Sequence, residues 1–218
     1  MKVAVLGGSF NPLHAGHAML AETVVKELGY DKVLFVPTFV PPHKEIKSGV
    51  TPEQRLGMIQ AFCDSIPEGW FEAEPCEIER GGVSYTYDTL VYLNERYKGK
   101  LDGKLAFILG DEMGAEFHKW HNPDGIVEIA DLIITHRYPD LKVLEKTLYG
   151  NVPSGDYSGD FSTKFDLENF KYPCTYLSEP VLPVSSTDVR KRVAEGRSFK
   201  YLVPEAVFEY ITKNKLYL

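Results

Sequence analysis

Residues 7–17 read GGSFNPLHAGH. Residues 2–6 before them (KVAVL) are a short apolar run of strand character, and residues 18–28 after them carry apolar positions at helical spacing. The stretch is therefore predicted to be a strand-to-helix turn. Gly7 and Gly8 let the backbone come close to a ligand, or turn where φ is positive. The helix that follows offers unpaired N–H groups and the positive end of its dipole, which together favour a phosphate. His14 and His17 stand at i and i+3, so they share one face of the first helical turn. N–H groups, two imidazoles and a glycine approach would all be aimed at one point. The run is neither GxGxxG nor GxxxxGK[ST], and a His-x-x-His pair alone lacks the further ligands a metal site needs.

Outward from this turn, residues 32–37 (KVLFVP) form a second apolar run and close a β-α-β unit, which implies a parallel sheet with a right-handed crossover. Residues 39–50 read as a loop containing Pro41-Pro42-His43-Lys44. Its place at the carboxyl edge of a parallel sheet favours a phosphate clamp over a plain solvated loop. Residues 51–64 are predicted helical, with Thr51 as N-cap and Pro52 at the first position. A strand is expected over 70–79, interrupted or at an edge because of Pro75, and a helix over 84–97. Residues 105–109 (LAFIL) read as a buried strand that runs into Gly110-Asp111-Glu112, a second junction at the ligand edge. Residues 117–121 (FHKWH) are aromatic and basic, and a strand over 131–135 leads to His136-Arg137. Residues 151–169, rich in Gly, Ser and Asp, read as a surface excursion. A short strand is expected over 175–177. Residues 182–192 (LPVSSTDVRKR) give another strand-to-helix junction, where Ser186 or Thr187 could cap the helix, and residues 204–211 a terminal helix. The expected fold is α/β: a Rossmann-like parallel sheet flanked by helices, in one domain over 1–218 with a small helical part from about 185 to 218.

The chain has 218 residues, 44% of them hydrophobic, and a formal net charge of −7. That is enough apolar content for a full core. The acidic balance argues against nucleic acid as a partner, since phosphate-tracking surfaces are usually basic, but it leaves room for a small anionic substrate held by local cations. The three cysteines are an odd, widely spaced set with no zinc pattern and read as reduced thiols of a cytoplasmic protein. The first strand begins at once, so no signal peptide is expected. No apolar run approaches the ~20 residues needed to span a bilayer, so no membrane partner is expected.

Two helix N-termini, near His14 and near Ser186, can converge on one polyphosphate, with His14, His17, Lys44, Arg137 and Arg190 as donors or cations. Carboxylate pairs at glycosidase spacing and a GxSxG turn are absent from the sequence. Phosphoryl or nucleotidyl transfer needs alignment and charge stabilisation more than covalent help, and this inventory suits it.

The run G-G-S-F-N-P-x-H-x-G-H resembles the signature of the nucleotidyltransferase superfamily, whose motif holds a nucleoside triphosphate, and VSSTDVR at 184–190 resembles that superfamily's second signature. PPHK, SYTYDTL, the strand followed by a Gly-acid pair, Lys119-Trp120 and the ending LVPEAVFEYITKNKLY together resemble bacterial nicotinate-nucleotide adenylyltransferases. The likeness covers nearly the whole chain apart from 151–169. It implies transfer of AMP from ATP to nicotinate mononucleotide, giving deamido-NAD and pyrophosphate, with Mg²⁺ bound alongside ATP and no metal site on the protein. It also implies that Gly7, Gly8, Ser9, Phe10, His14, His17, Gly110, Ser185, Ser186, Thr187 and Arg190 hold ATP. His43, Lys44, Thr86, Glu112, Trp120 and Arg137 would hold the mononucleotide, Trp120 by stacking on the pyridine ring. His14, His17, Lys44 and Arg190 would carry the catalysis.

This sequence departs from the family pattern around the mononucleotide. The acid after the fourth strand is Glu112 with Asp111 before it, where the family has Gly-x-Asp. The residue after the stacking Trp is His121 in place of Tyr, and the Arg-Pro-Gly turn reads Arg137-Tyr138-Pro139. These changes leave open a nicotinamide mononucleotide acceptor. Other readings are a phosphopantetheine adenylyltransferase or cytidylyltransferase of the same superfamily, or a nucleotide-sensing module without turnover; intact His14, His17 and Arg190 argue against the last. Self-association is not decided by the sequence.

Overall fold

Alternation of side chains along the strands builds two cores, one on each face of a sheet. In β1 (Val3–Gly8), Ala4 and Leu6 face one core and Val3 and Val5 the other. In β2 (Lys32–Pro37), Val33 and Phe35 join the first and Leu34 and Val36 the second. Strands buried on both faces read as continuous apolar runs, which is why these were visible in the sequence. The computed structural model describes residues 1–42, 49–136, 165–177, 182 and 184–218. His43, Lys44 and Arg137, and most of the expected excursion at 151–169, lie outside the described residues.

The sheet has six strands in the order β3-β2-β1-β4-β5-β6, with β3 at Phe71–Ala73, β4 at Leu105–Gly110, β5 at Ala130–Thr135 and β6 at Cys174–Leu177. Every pairing is parallel. Helices α1 (Ala15–Lys26) and α2 (Pro52–Asp64) pack on the face of Ala4 and Phe35, through Leu20, Val24, Met58 and Phe62. Helices α4 (Thr86–Arg96) and α6 (Pro123–Ile129) cover the other face through Leu90, Leu93 and Ile126. The short α3 (Cys76–Arg80) and α5 (Asp111–Ala115) follow β3 and β4. The C-terminal helices α7 (Ser186–Ala194) and α8 (Glu205–Lys213) send Val189, Val193, Val207 and Ile211 into the first core, so they belong to the same packed body as α1 and α2. Each such fully buried side chain is worth roughly 1.5–3 kcal/mol.

Some boundaries differ from the sequence expectation. The strand expected over 70–79 is β3 alone, and 76–80 is helical. Pro75 stands at the N-cap of α3, where a missing N–H costs nothing, and the Glu74 carboxylate before it is buried against Arg96. Helix α2 begins as expected: Thr51 Oγ1 accepts from the Gln54 N–H at 3.2 Å, and Gln54 Oε1 accepts from the Thr51 N–H at 2.9 Å. Among the described residues, Leu182 and Val184 ahead of α7 carry no strand.

Candidate active site

The sheet order reverses direction between β1 and β4, the switch point where a crevice opens outside the carboxyl ends of the strands. β1 ends there at Gly8 and β4 at Gly110. The 7–17 turn thus lies at the ligand edge of the sheet.

His14 is the N-cap of α1, with extended backbone, and its carbonyl accepts from the His17 N–H at 2.9 Å. The His14 N–H donates to His17 Nδ1 at 3.2 Å. That bond places the proton of a neutral His17 ring on Nε2. The two rings stack at 3.6 Å between centroids and 24° between planes, so the expected shared face is observed. No acidic residue occupies the first turn of α1, so its N-terminal N–H groups keep their positive character. Phe10 adopts φ +44° and is 2% exposed, its ring meeting Phe35 at 5.6 Å and the edge of His17 at 5.0 Å. A left-handed conformation at a bulky residue is a strained feature typical of functional turns. Gly16 sits in a close approach: a Cβ there would stand 3.0 Å from the Leu182 carbonyl oxygen and 3.2 Å from the His14 ring, so these neighbours would have to give by a few tenths of an ångström.

The second helix N-terminus is laced to this turn. Ser186 Oγ donates to the Pro12 carbonyl at 2.9 Å, and Arg190 Nη1 donates to the Asn11 carbonyl at 2.7 Å. Tyr217 OH donates to Asn11 Oδ1 at 2.9 Å, bringing in the end of the chain. Arg190 Nη2 also reaches Thr187 Oγ1 at 3.2 Å. The capping residue is Ser185, not Ser186 or Thr187: Ser185 is the residue with extended backbone, and its Oγ accepts from the Asp188 N–H at 3.1 Å. Asp188 is itself paired with Arg192 Nε at 2.8 Å, which offsets an acid in the first turn of α7.

The other wall is aromatic. Trp120 follows a 3-10 turn (Phe117–Lys119) and is half-buried against Phe117 and Phe107, at 5.3 and 5.9 Å. Thr86 opens α4, and its neighbour Tyr85 packs on His121 at 4.7 Å. Glu112 is exposed, whereas Asp111 is buried at 9% exposure. One Asp111 oxygen accepts from the Glu112 N–H at 2.9 Å and the other lies 2.6 Å from His136 Nδ1. The Asp111–His136 pair joins the ends of β4 and β5, and the sequence reading gave it no role.

Arg55 was missed as well. It lies on α2 in the apolar stripe with Met58, Ile59 and Phe62, at i, i+3, i+4 and i+7, and is 1% exposed. An arginine inside an apolar stripe was the available signal. Its guanidinium donates to the Ser9 carbonyl at 2.8 Å and to the Phe39 carbonyl at 3.5 Å. Among the described residues no three His, Cys, Asp or Glu side chains gather as a metal site, and no helix is long and apolar enough to cross a membrane. Burial pushes the Cys63 and Cys76 thiols up to about 12, which leaves them unreactive.

Comparison with known proteins agrees with this fold. A family model described as cytidylyltransferase-like matches residues 5–192. A protein of Treponema pallidum (strain Nichols), described as a probable nicotinate-nucleotide adenylyltransferase, is 38% identical over 217 residues, covering 100% of this chain and 99% of its own. One of Dictyoglomus thermophilum with the same description is 37% identical, covering 100% of both chains. The fold is that of the Plasmodium falciparum nicotinic acid mononucleotide adenylyltransferase solved with NaAD, at a TM-score of 0.67, 18% identity and coverage of 99% of this chain and 97% of that one. With a cytidylyltransferase-like match over most of its residues and relatives of this identity along its whole length, the chain belongs to the nicotinate-nucleotide adenylyltransferase family.

Proposed function

We infer that the protein transfers AMP from ATP to nicotinate mononucleotide, releasing pyrophosphate and giving deamido-NAD. The observation that carries the reading is the lacing of two helix N-termini, α1 and α7, around one turn at the switch point of the sheet. Such a pair of positive ends suits a polyphosphate. The relatives at 37–38% identity are described as probable nicotinate-nucleotide adenylyltransferases, which supports the reading.

An oxygen of the mononucleotide 5′-phosphate attacks the α-phosphorus of ATP. The bond from that phosphorus to the bridging oxygen breaks, and pyrophosphate leaves with the electron pair. His17 Nε2–H, with the N–H groups at the start of α1, donates to the charge that develops on the leaving phosphates. Arg190 and the α7 N-terminus close on the same phosphates from the opposite side. Mg²⁺ bound with ATP would supply charge neutralisation on the phosphates. Trp120 and Thr86 receive the pyridine ring, Trp120 by stacking. Lys44 and Arg137 are assigned to neutralising phosphate, and His43 to holding the mononucleotide, on sequence grounds. The test is incubation with ATP, Mg²⁺ and a panel of acceptors: nicotinate and nicotinamide mononucleotides, phosphopantetheine and choline phosphate with CTP in parallel. Pyrophosphate release with a pyridine mononucleotide supports the reading. Release only with another acceptor, or with none, refutes it.

A further inference from the structure

We infer that Arg55 is a positioning residue that locks the ATP-holding turn to the acceptor-side loop, so that alignment of the two substrates depends on its two-armed guanidinium. The inference rests on the adenylyl-transfer reading above.

Burying a guanidinium is costly unless it is well paired. The hydrogen bonds of the Arg55 guanidinium go to carbonyls, and among the described residues its Nε has no hydrogen-bond partner. Burial pulls its pKa down, opposed by Tyr217, Glu53 and Glu77. It makes its bonds to two backbone carbonyls just past the β1–β2 ladder, which ends where the Thr38 N–H donates to the Gly8 carbonyl at 2.9 Å, so Arg55 extends the tie between the two segments beyond the sheet. One is Ser9, inside the 7–17 turn. The other is Phe39, at the mouth of the loop that leads to His43 and Lys44.

The Phe39 peptide is held from its other side too. Its N–H donates to Ser84 Oγ at 3.1 Å, the Ser84 N–H donates to the Val40 carbonyl at 2.9 Å, and Val40 bridges Val83. Behind Ser84 stands Glu77, 6% exposed, which accepts from Thr89 Oγ1 at 2.7 Å while Arg80 donates to the same hydroxyl at 3.0 Å. Ser84 directly precedes the Tyr85-Thr86 entry into α4. A continuous path therefore runs from Ser9 through Arg55, Phe39 and Ser84 to the start of the pyridine-side helix. Two carbonyls that must keep a fixed separation are spanned by one planar fork, which an ammonium cannot reproduce at both ends. In-line transfer is sensitive to displacements of this kind, because a misplacement of about 1 Å can lower a rate a hundredfold.

The experiment compares wild type, Arg55→Lys, Arg55→Met, Ser84→Ala and the Arg55→Lys/Ser84→Ala double variant, varying ATP and nicotinate mononucleotide separately and recording Tm for each. Arg55→Lys is expected to lower kcat by roughly tenfold to a hundredfold at temperatures where it is fully folded. Ser84→Ala, which touches only the acceptor end, is expected to raise the acceptor KM about threefold or more while the ATP KM holds, and the double variant to lose less than the product of the single losses. A folded Arg55→Lys with wild-type kcat and both KM values unchanged overturns the inference. If neither Arg55 variant folds, Ser84→Ala decides it, and an unchanged acceptor KM overturns it. Wild type that forms no deamido-NAD overturns the reaction itself; wild-type turnover with indifferent variants overturns this inference alone.

Discussion

His17 holds its place by a local bond, since its Nδ1 takes the N–H of His14 three residues earlier. Its role in turnover is therefore separable from its role in the fold. His17→Ala should lower kcat by about 10²–10³, the usual loss for one donor to developing charge, while Tm moves little. A kcat near wild type in that variant would remove His17 from the phosphate site. Glu77 gives a second prediction at this scale. Burial raises its pKa above the ordinary 4.5, with the Thr89 and Ser84 hydroxyls and Arg80 pulling against it. Between the ordinary and the raised value the native state binds more protons than the unfolded chain, so stability falls as pH rises through that window. Glu77→Gln has no such proton. Urea unfolding of both proteins from pH 4 to pH 7.5 should show the variant gaining on wild type as pH rises, then a constant difference. A difference independent of pH would show that Glu77 is not destabilised in its charged form.

At the scale of elements, the C-terminal helices pack into the same core as α1 and α2. α8 lies on α2 at Gly57, where a Cβ would stand 2.2 Å from Tyr210 OH and 2.7 Å from the ring. Gly57→Ala should destabilise by about 1–3 kcal/mol through overpacking. Tyr210→Ala should relieve the added cost, so that a double-mutant cycle by urea unfolding is strongly non-additive; additive losses would mean the helices do not meet there. Ser185→Ala removes the cap of α7 and should cost about 1 kcal/mol, whereas Ser186→Ala cuts the tie to Pro12 and should act mainly on ATP KM. The elements themselves were legible where the chain signals locally. β1, β2 and β4 are continuous apolar runs because both faces are covered, and α2 announces itself through Thr51 and Pro52. The α7 cap was placed one or two residues late, at Ser186 or Thr187, because three hydroxyl residues in a row offer the same local signal, and the choice is made by where Ser186 finds Pro12.

At the scale of the molecule, the fold and the proposed phosphate half of the site follow from 7–17 and 184–190, each a local pattern. The links between halves were not legible. Ser9, Phe39, Arg55 and Ser84 are far apart in sequence and meet only after the sheet is assembled, and Asp111–His136 joins the ends of two strands paired across the sheet. Arg55 alone left a trace, as a cation in an apolar stripe. The acceptor half carries the central claim, since Trp120 stacking does not tell a carboxylate from a carboxamide. Discrimination falls to donors at the ring substituent, where the amide NH₂ would face them unpaired at a cost of roughly 1–3 kcal/mol. The most direct measurement is kcat/KM for nicotinate mononucleotide and for nicotinamide mononucleotide with one enzyme stock, saturating ATP and Mg²⁺. A preference for nicotinate of at least about tenfold is predicted; equal values, or a preference for the amide, would contradict the account.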